Sequence, residues 1–318
     1  MKTTGIRTHA HHGRHWLKRI FLALLLAIPA FAHADLILTA PPRESAAVSN
    51  RLYGPLAEHL TRLLGRRVVY EYPKTWLHYE RDIRAGRYDI VFDGPQFISW
   101  LNQQFGYRPV AKLPGTLRFF VITGKADTAV ETIDDLAGRR VCFIASPDIS
   151  ALTLLKEFDD PIRQPWFVNI QGDMRAVFKA FQTGRCKAAV LSEAFYTHAL
   201  TDQERAAVRV IHRTDPVTNQ GIAVSTRLSE SELEKLRTDL SRGNPALAPL
   251  LERFAPGRSA MEPATAADYA GYHRLLTGVI FGWELDRRSA GRLSPAEPLA
   301  DRDPEPPVPD TRPAGGSS

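Results

Sequence analysis

A carboxylate at the end of an apolar run is the first feature of this chain with chemistry to offer. RYDIVFDGPQF, residues 87–97, reads as a buried strand that stops at Asp93-Gly94-Pro95 and turns sharply into a helix. Open α/β sheets bind small molecules at that end of their strands, which makes Asp93 and Gly94 candidates for half of a cleft. The same carboxylate could equally cap the helix that follows. Cys142 and Cys186 are the two cysteines, and in an oxidising compartment one disulfide is their default state. Closing a loop of about 45 residues would contribute roughly 3–4 kcal/mol by chain entropy. A catalytic thiol is the alternative, but no His stands in an evident activating relation to either Cys. His9, His11, His12 and His15 suggest a metal cluster by count, yet they fall in a segment expected to be removed. The chain has no nucleophile elbow, no His-Glu-x-x-His and no glycine-rich phosphate loop, so neither an enzyme nor a cofactor or metal is expected.

Residues 1–34 carry Lys2, Arg7, Arg14, Lys18 and Arg19 and no acid, then the apolar run IFLALLLAIPAF and Ala32-His33-Ala34. This is the pattern of a secretion signal, with cleavage expected before Asp35 and a periplasmic destination. Twelve apolar residues at about 1.5 Å each fall short of a hydrocarbon core of roughly 30 Å. No Cys lies near the cleavage site to carry a lipid. Without those five cations, the 41 Lys and Arg come close to balancing the 35 Asp and Glu. The remaining chain thus has no basic field for nucleic acid or an anionic membrane.

The elements that must position these residues alternate strand and helix. LILTA (residues 36–40) reads as a strand, and Leu52, Leu56, Leu60, Leu63 and Leu64 form one helical face closed by Gly65. RVVYEY is a second strand, residues 76–84 a helix, and YDIVF the third strand, which together make a βαβαβ unit and hence a parallel sheet. After LRFFVIT (117–123) the alternation restarts: RVCFIA, a helix over 149–158, a strand over 166–170, a helix with Met174, Val177, Phe178 and Phe181 on one face, then residues 188–191. A last strand over 221–224 and helices at about 230–240, 246–254 and 264–276 return to the first unit. Lobe 1 is therefore expected from 35–124 and 217–285 and lobe 2 from 125–216, with crossings near 123–127 and 212–219. Residues 286–318, rich in Pro and nearly free of large apolar side chains, are expected to be disordered.

Four phrases in this order, YGPLAEHLTRLLG, RAGRYDIVFDGPQF, TIDDLAGRRVCF and FQTGRCKAAVL, resemble the periplasmic phosphonate-binding (PhnD-like) substrate-binding proteins of ABC importers. The resemblance covers residues 35–276. It implies the two-lobed type II periplasmic binding fold, each lobe a mainly parallel sheet flanked by helices, with two hinge crossings. It also implies a cleft lined by loops at strand ends, here residues 41–50, 72–79, 93–97, 146–150 and 192–196. On those loops Arg43, Trp76, Tyr79, Asp93, Gly94, Ser146, Ser150, Ser192 and Glu193 are the candidate ligand contacts, with Asn219 and Gln220 at the second crossing. Trp76 and Tyr79 also fit the spacing of a packed helix face, and Arg43 could simply be solvated.

The family's Ser-Thr-Ser-Gly-like anion cluster is matched here by Ser146-Pro147-Asp148-Ile149-Ser150. Asp148 already supplies a negative charge to that helix start, where a second anion would meet about 1–4 kcal/mol of repulsion at 4 Å. Phosphonate itself is therefore in question, and Asp93, Asp148 and Glu193 suit an amine or polar hydroxyls better. In a sheet of this winding, Cys142 and Cys186 begin neighbouring strands, opposite the ligand side, which makes a cross-strand disulfide plausible. The expectation is a monomeric binding protein that delivers a small polar or anionic solute to an ABC permease. A periplasmic ligand sensor feeding a signalling protein is the alternative, and an exported enzyme on the same fold is weaker.

Overall fold

The computed structural model describes residues 34–145, 147–158, 160–277 and 283. The secretion signal, the N-terminal histidines, Ser146 and the Pro-rich tail lie outside the described residues. The chain divides after Asp35, and everything that follows concerns the compact unit beginning at Leu36.

The first half opens with β1 (Leu36–Thr39), α1 (Ala46–Leu64), β2 (Val68–Tyr70), α2 (Trp76–Arg84), β3 (Ile90–Asp93), α3 (Pro95–Phe105) and β4 (Arg108–Lys112). Helix α1 forms because Leu52, Leu56, Leu60 and Leu64 recur at four-residue intervals and are all buried. The Ser45 side chain accepts the Val48 N–H at its start, and Gly65 takes the left-handed conformation, φ 65°, at its end. Burying each such leucine contributes on the order of 2 kcal/mol.

Next come β5 (Thr116–Leu117), β6 (Phe119–Gly124), β7 (Arg140–Ile144), α4 (Ile149–Leu155), β8 (Trp166–Ile170), α5 (Met174–Gln182), β9 (Ala188–Ser192), α6 (Asp202–Ala206) and β10 (Val208–Arg213). The chain returns through β11 (Val217–Thr218), β12 (Gly221–Val224), α7 (Glu230–Arg242), α8 (Ala248–Phe254), β13 (Glu262–Pro263) and α9 (Arg274–Thr277).

One sheet runs β13-β4-β12-β3-β1-β2, the other β10-β6-β9-β7-β8, and β5 pairs with β11 in a separate ribbon. Parallel pairing is confined to β2-β1-β3 and β8-β7-β9. The remaining strands add antiparallel, so both sheets are mixed rather than mainly parallel. Type II architecture follows from this winding, with the strand ends Asp93 and Ser192 on the side where the two halves meet.

The first crossing lies earlier than expected. Strand β6 is bonded to β9 on one side and β10 on the other, within the second sheet, instead of closing lobe 1 at residue 124. Phe119, Phe120, Val121 and Ile122 are all buried, as a central strand with both faces covered requires. Residues 125–127 make a turn in that sheet, where the Lys125 N–H donates to the Ala207 carbonyl. The real crossings pair as β5 and β11, with Val217 opposite Leu117 and Thr218 opposite Thr116.

The helix expected over 264–276 is broken into a 3₁₀ turn (Ala266–Tyr269) and α9. Ala270 is extended and Gly271 has φ 84°, which stops the helix. The break lets Tyr269 Oη donate to the Asn219 carbonyl and Tyr272 Oη accept the Thr218 N–H. This segment thereby docks onto the crossing strands.

Cys142 and Cys186 are joined, with Cα atoms 5.7 Å apart and a sequence separation of 44 residues. Both are buried in the core between the second sheet and α5, and neither is a free thiol.

Candidate ligand cleft

Loops at the carboxyl ends of strands in both sheets surround a cleft of about 680 Å³. After β1 they contribute residues 42–45 and Val48; after β2, Tyr72 and residues 74–77; after β8, residues 171–173 and Ala176. Arg43 and Trp76 are the expected site residues that line it. Glu44 and Lys74, also on its wall, sit on two of the loops expected there without having been singled out, whereas Gln171 and Asp173 come from the loop after β8, which was not expected; polar residues in loops carry no periodic signal. The wall mixes aromatic and aliphatic surface with both signs of charge.

Behind the cleft a buried seam joins the two halves. Arg43 passes from the cleft wall into it, its side chain only 9% exposed. Arg43 Nε donates to Asp148 Oδ2 at 3.2 Å, Nη1 donates to Gln220 Oε1 at 3.4 Å, and Nη2 stands 3.7 Å from Asp93 Oδ1. Nη2 is buried and makes no hydrogen bond.

Asp93 is fully buried at the end of β3. Its Oδ1 accepts the Gly94 N–H at 2.7 Å and its Oδ2 accepts the Tyr79 hydroxyl. Burial pushes this carboxyl well above the ordinary carboxylate range. Arg43 and the Gly94 N–H pull it part of the way back, and the nearby Asp148 adds to the rise. Helix α3 has no side-chain cap; Gly94 occupies that position and Pro95 the first helical one. The capping alternative for Asp93 is therefore not what the carboxylate does.

Across the seam Asp148 caps α4. Its Oδ1 accepts both the Ser150 N–H at 3.0 Å and the Ser150 hydroxyl at 2.7 Å. Both donors of Ser150, the described serine of the segment that matches the family's anion cluster, are thus taken by the chain's own carboxylate. Gln96, also fully buried and unforeseen, donates from Nε2 to the Pro147 carbonyl at 3.1 Å, while its Oε1 has no partner. Leu152 of α4 packs into the apolar cluster of Tyr79, Phe97 and Leu101, so oil surrounds these polar contacts.

The other expected residues do different work. Tyr79 is a buried member of the α2 face, edge-on to Trp76 and Phe97, and meets the site only through its hydroxyl. Ser192 Oγ accepts the Phe195 N–H and opens a π-helical turn over Phe195–Ala199. The Glu193 N–H donates to the Arg118 carbonyl. Neither residue is on the cleft wall. Asn219 braces the crossing, donating from Nδ2 to the Pro114 carbonyl and accepting the Gln220 N–H. A second clasp spans the cleft outside the seam: Arg253 binds Glu44 through Nε and Nη2, and Nη2 reaches Asp173 Oδ2 at 3.5 Å. Among the described residues no group of three or more His, Cys, Asp or Glu is arranged to hold a metal ion.

Two mixed sheets joined by a paired crossing, with a cleft at their strand ends, define a two-lobed solute-binding protein. The profile described as "ABC transporter, phosphonate, periplasmic substrate-binding protein" matches residues 38–269, and the chain belongs to that family. Solved structures agree on the fold. XAC2383 from Xanthomonas citri, bound to ATP, is 18% identical with a TM-score of 0.61, covering 78% of this chain and 100% of that one. PhnD1 from Prochlorococcus marinus, in complex with methylphosphonate, is 14% identical with a TM-score of 0.60, covering 76% and 96%. A binding component of a phosphonate ABC transporter from Pseudomonas aeruginosa is 13% identical at 0.55, covering 76% and 85%. No curated protein matches the chain.

Proposed function

We propose that this protein is exported, with cleavage before Asp35, and as a monomer captures a small polar solute between its lobes for an ABC permease. The observation that carries the reading is the continuity between cleft and seam: Arg43 lines the one and reaches Asp93 and Asp148 in the other. A solute entering the cleft therefore meets the contacts that hold the lobes together, which is how binding would bias closure about the β5–β11 ribbon. Capture and release, with no turnover, is the chemistry these groups support.

A thermal-melting screen against phosphonates, phosphate esters, amino acids and amines tests the proposal. A saturable rise in melting temperature with one class is expected, by mass action, together with a change in small-angle scattering as the lobes rearrange. If no class raises the melting temperature, solute capture is wrong.

A further inference from the structure

The seam holds a cation between facing carboxylates, and the cation is the chain's own. Asp93 comes from the end of β3 and Asp148 from the start of α4, so the two halves of the molecule each supply one acid. Arg43 lies between them and also touches Gln220. Its fit is loose. A free guanidinium aligned on a carboxylate makes paired contacts of about 2.7–2.9 Å, whereas Arg43 makes one at 3.2 Å, approaches the second acid only to 3.7 Å, and leaves the buried Nη2 without a hydrogen bond. Arg43 approaches from a loop whose Pro41 carbonyl is held by the Arg43 N–H, a tether that restricts how its head can align.

A second observation points the same way. Gln96 is fully buried between Gly94 and Pro147, and its Oε1 accepts nothing while its amide is engaged. Among the described residues of the seam, the buried side-chain polar atoms without a partner are thus one acceptor, Gln96 Oε1, and one donor, Arg43 Nη2. An anion entering here would meet two carboxylates; an N–H-rich cation would meet the same two carboxylates, with the Gln96 carbonyl a free acceptor in the same seam.

Resting on the solute-binding reading, we infer that the ligand carries a primary ammonium or guanidinium head, received by Asp93, Asp148 and Gln96 in the place Arg43 now fills. Arg43 is a built-in surrogate, and because it lines the cleft it has room to swing out as the ligand head enters. The lobes are held together in either state, by the tethered cation or by the free one.

The test is thermal melting and calorimetry of the full chain with n-butylamine and methylguanidinium, alongside tetramethylammonium, a cation without N–H donors, and methylphosphonate. The wild-type protein is expected to be stabilised saturably by n-butylamine or methylguanidinium and not by tetramethylammonium. Asp148→Asn should weaken that binding at least tenfold. Arg43→Ala, with no surrogate to displace, should bind methylguanidinium at least tenfold more tightly than wild type. Rescue of Arg43→Ala without any binding to wild type would make Arg43 a fixed structural latch and overturn the inference. Stabilisation of wild type by methylphosphonate alone would also overturn it while leaving solute capture intact; no response to any solute class would remove both. The wild-type titration stands even if a variant fails to fold.

Discussion

Asp93, which ends β3, and Asp89, which immediately precedes that strand, show how differently a buried carboxylate can be used. Asp89 accepts the Ile37 N–H, the Ser225 hydroxyl and two contacts from Arg227, binding β1, β3 and the end of β12 at the far side of the sheet. Asp93 has fewer donors and shares its cation with Asp148. Its raised pKa carries a stability signature: the folded state keeps the proton over a window above the ordinary carboxylate value, where the unfolded chain has lost it. Stability from this group is thus full at low pH and lost as pH rises through the folded value. Asp93→Asn should flatten the fall in denaturant midpoint between about pH 4 and neutrality. Some slope should remain, because burial also raises Asp89 and Glu80. Asp135, held below the ordinary range by the N–H groups of Thr132 and Glu131, acts in the opposite sense and only at more acid pH. An unchanged pH profile in Asp93→Asn would show that the carboxyl is not protonated in the fold.

The strand-end acid itself was legible because its signals are local: an apolar run, then Asp-Gly-Pro. Gln96 was not, since an amide in the first turn of a helix looks ordinary until Pro147 arrives from a position 51 residues away. Ser192 occupies the corresponding end of β9, but the π-helical turn that follows uses its hydroxyl locally.

At the level of elements, local signals again set the limit. Helix α1 was readable from its leucine spacing and closing glycine. Strand β6 was readable as a strand but not as a member of the second sheet, because its partners lie at residues 188–192 and 208–213. Strand β12 carries a stricter demand. A Cβ on Gly221 would stand 2.5 Å from the Ala111 carbonyl and closer still to the Tyr269 hydroxyl. Backbone cannot yield there, since β12 is bonded to β3 and β4 on its two sides. Gly221→Ala should therefore cost about 3 kcal/mol in chemical denaturation. Gly54→Ala is the control: with nothing within 4 Å on a helix, it should be neutral or stabilising by up to about 1 kcal/mol. Equal effects at both sites would contradict the close approach of the strands.

Across the described residues, the Arg43 and Arg253 ion pairs both join the halves, and their burial predicts unequal worth. Arg253 is 40% exposed, and its contact with Asp173 belongs to a class worth roughly 0–1 kcal/mol. Arg43 is nearly enclosed, so removing it strands two carboxylates in a dry seam, a loss of about 3–5 kcal/mol. Arg253→Ala should melt within a few degrees of wild type, while Arg43→Met should lose much of its stability at pH 7 and recover part of it on mild acidification as Asp93 takes up a proton. Comparable melting of the two variants at pH 7 would place the weight of closure elsewhere, for instance on Leu152 and its apolar neighbours.

The bond between Cys142 and Cys186 also fixes an order of events. A chain delivered amino end first presents Cys142 while 44 more residues have still to follow, and the two sulfurs meet only once β7 and β9 lie side by side. Oxidation thus serves as a timestamp on the assembly of the second lobe: protein in which these two cysteines are bonded to each other has brought those strands together, whatever the state of the first lobe.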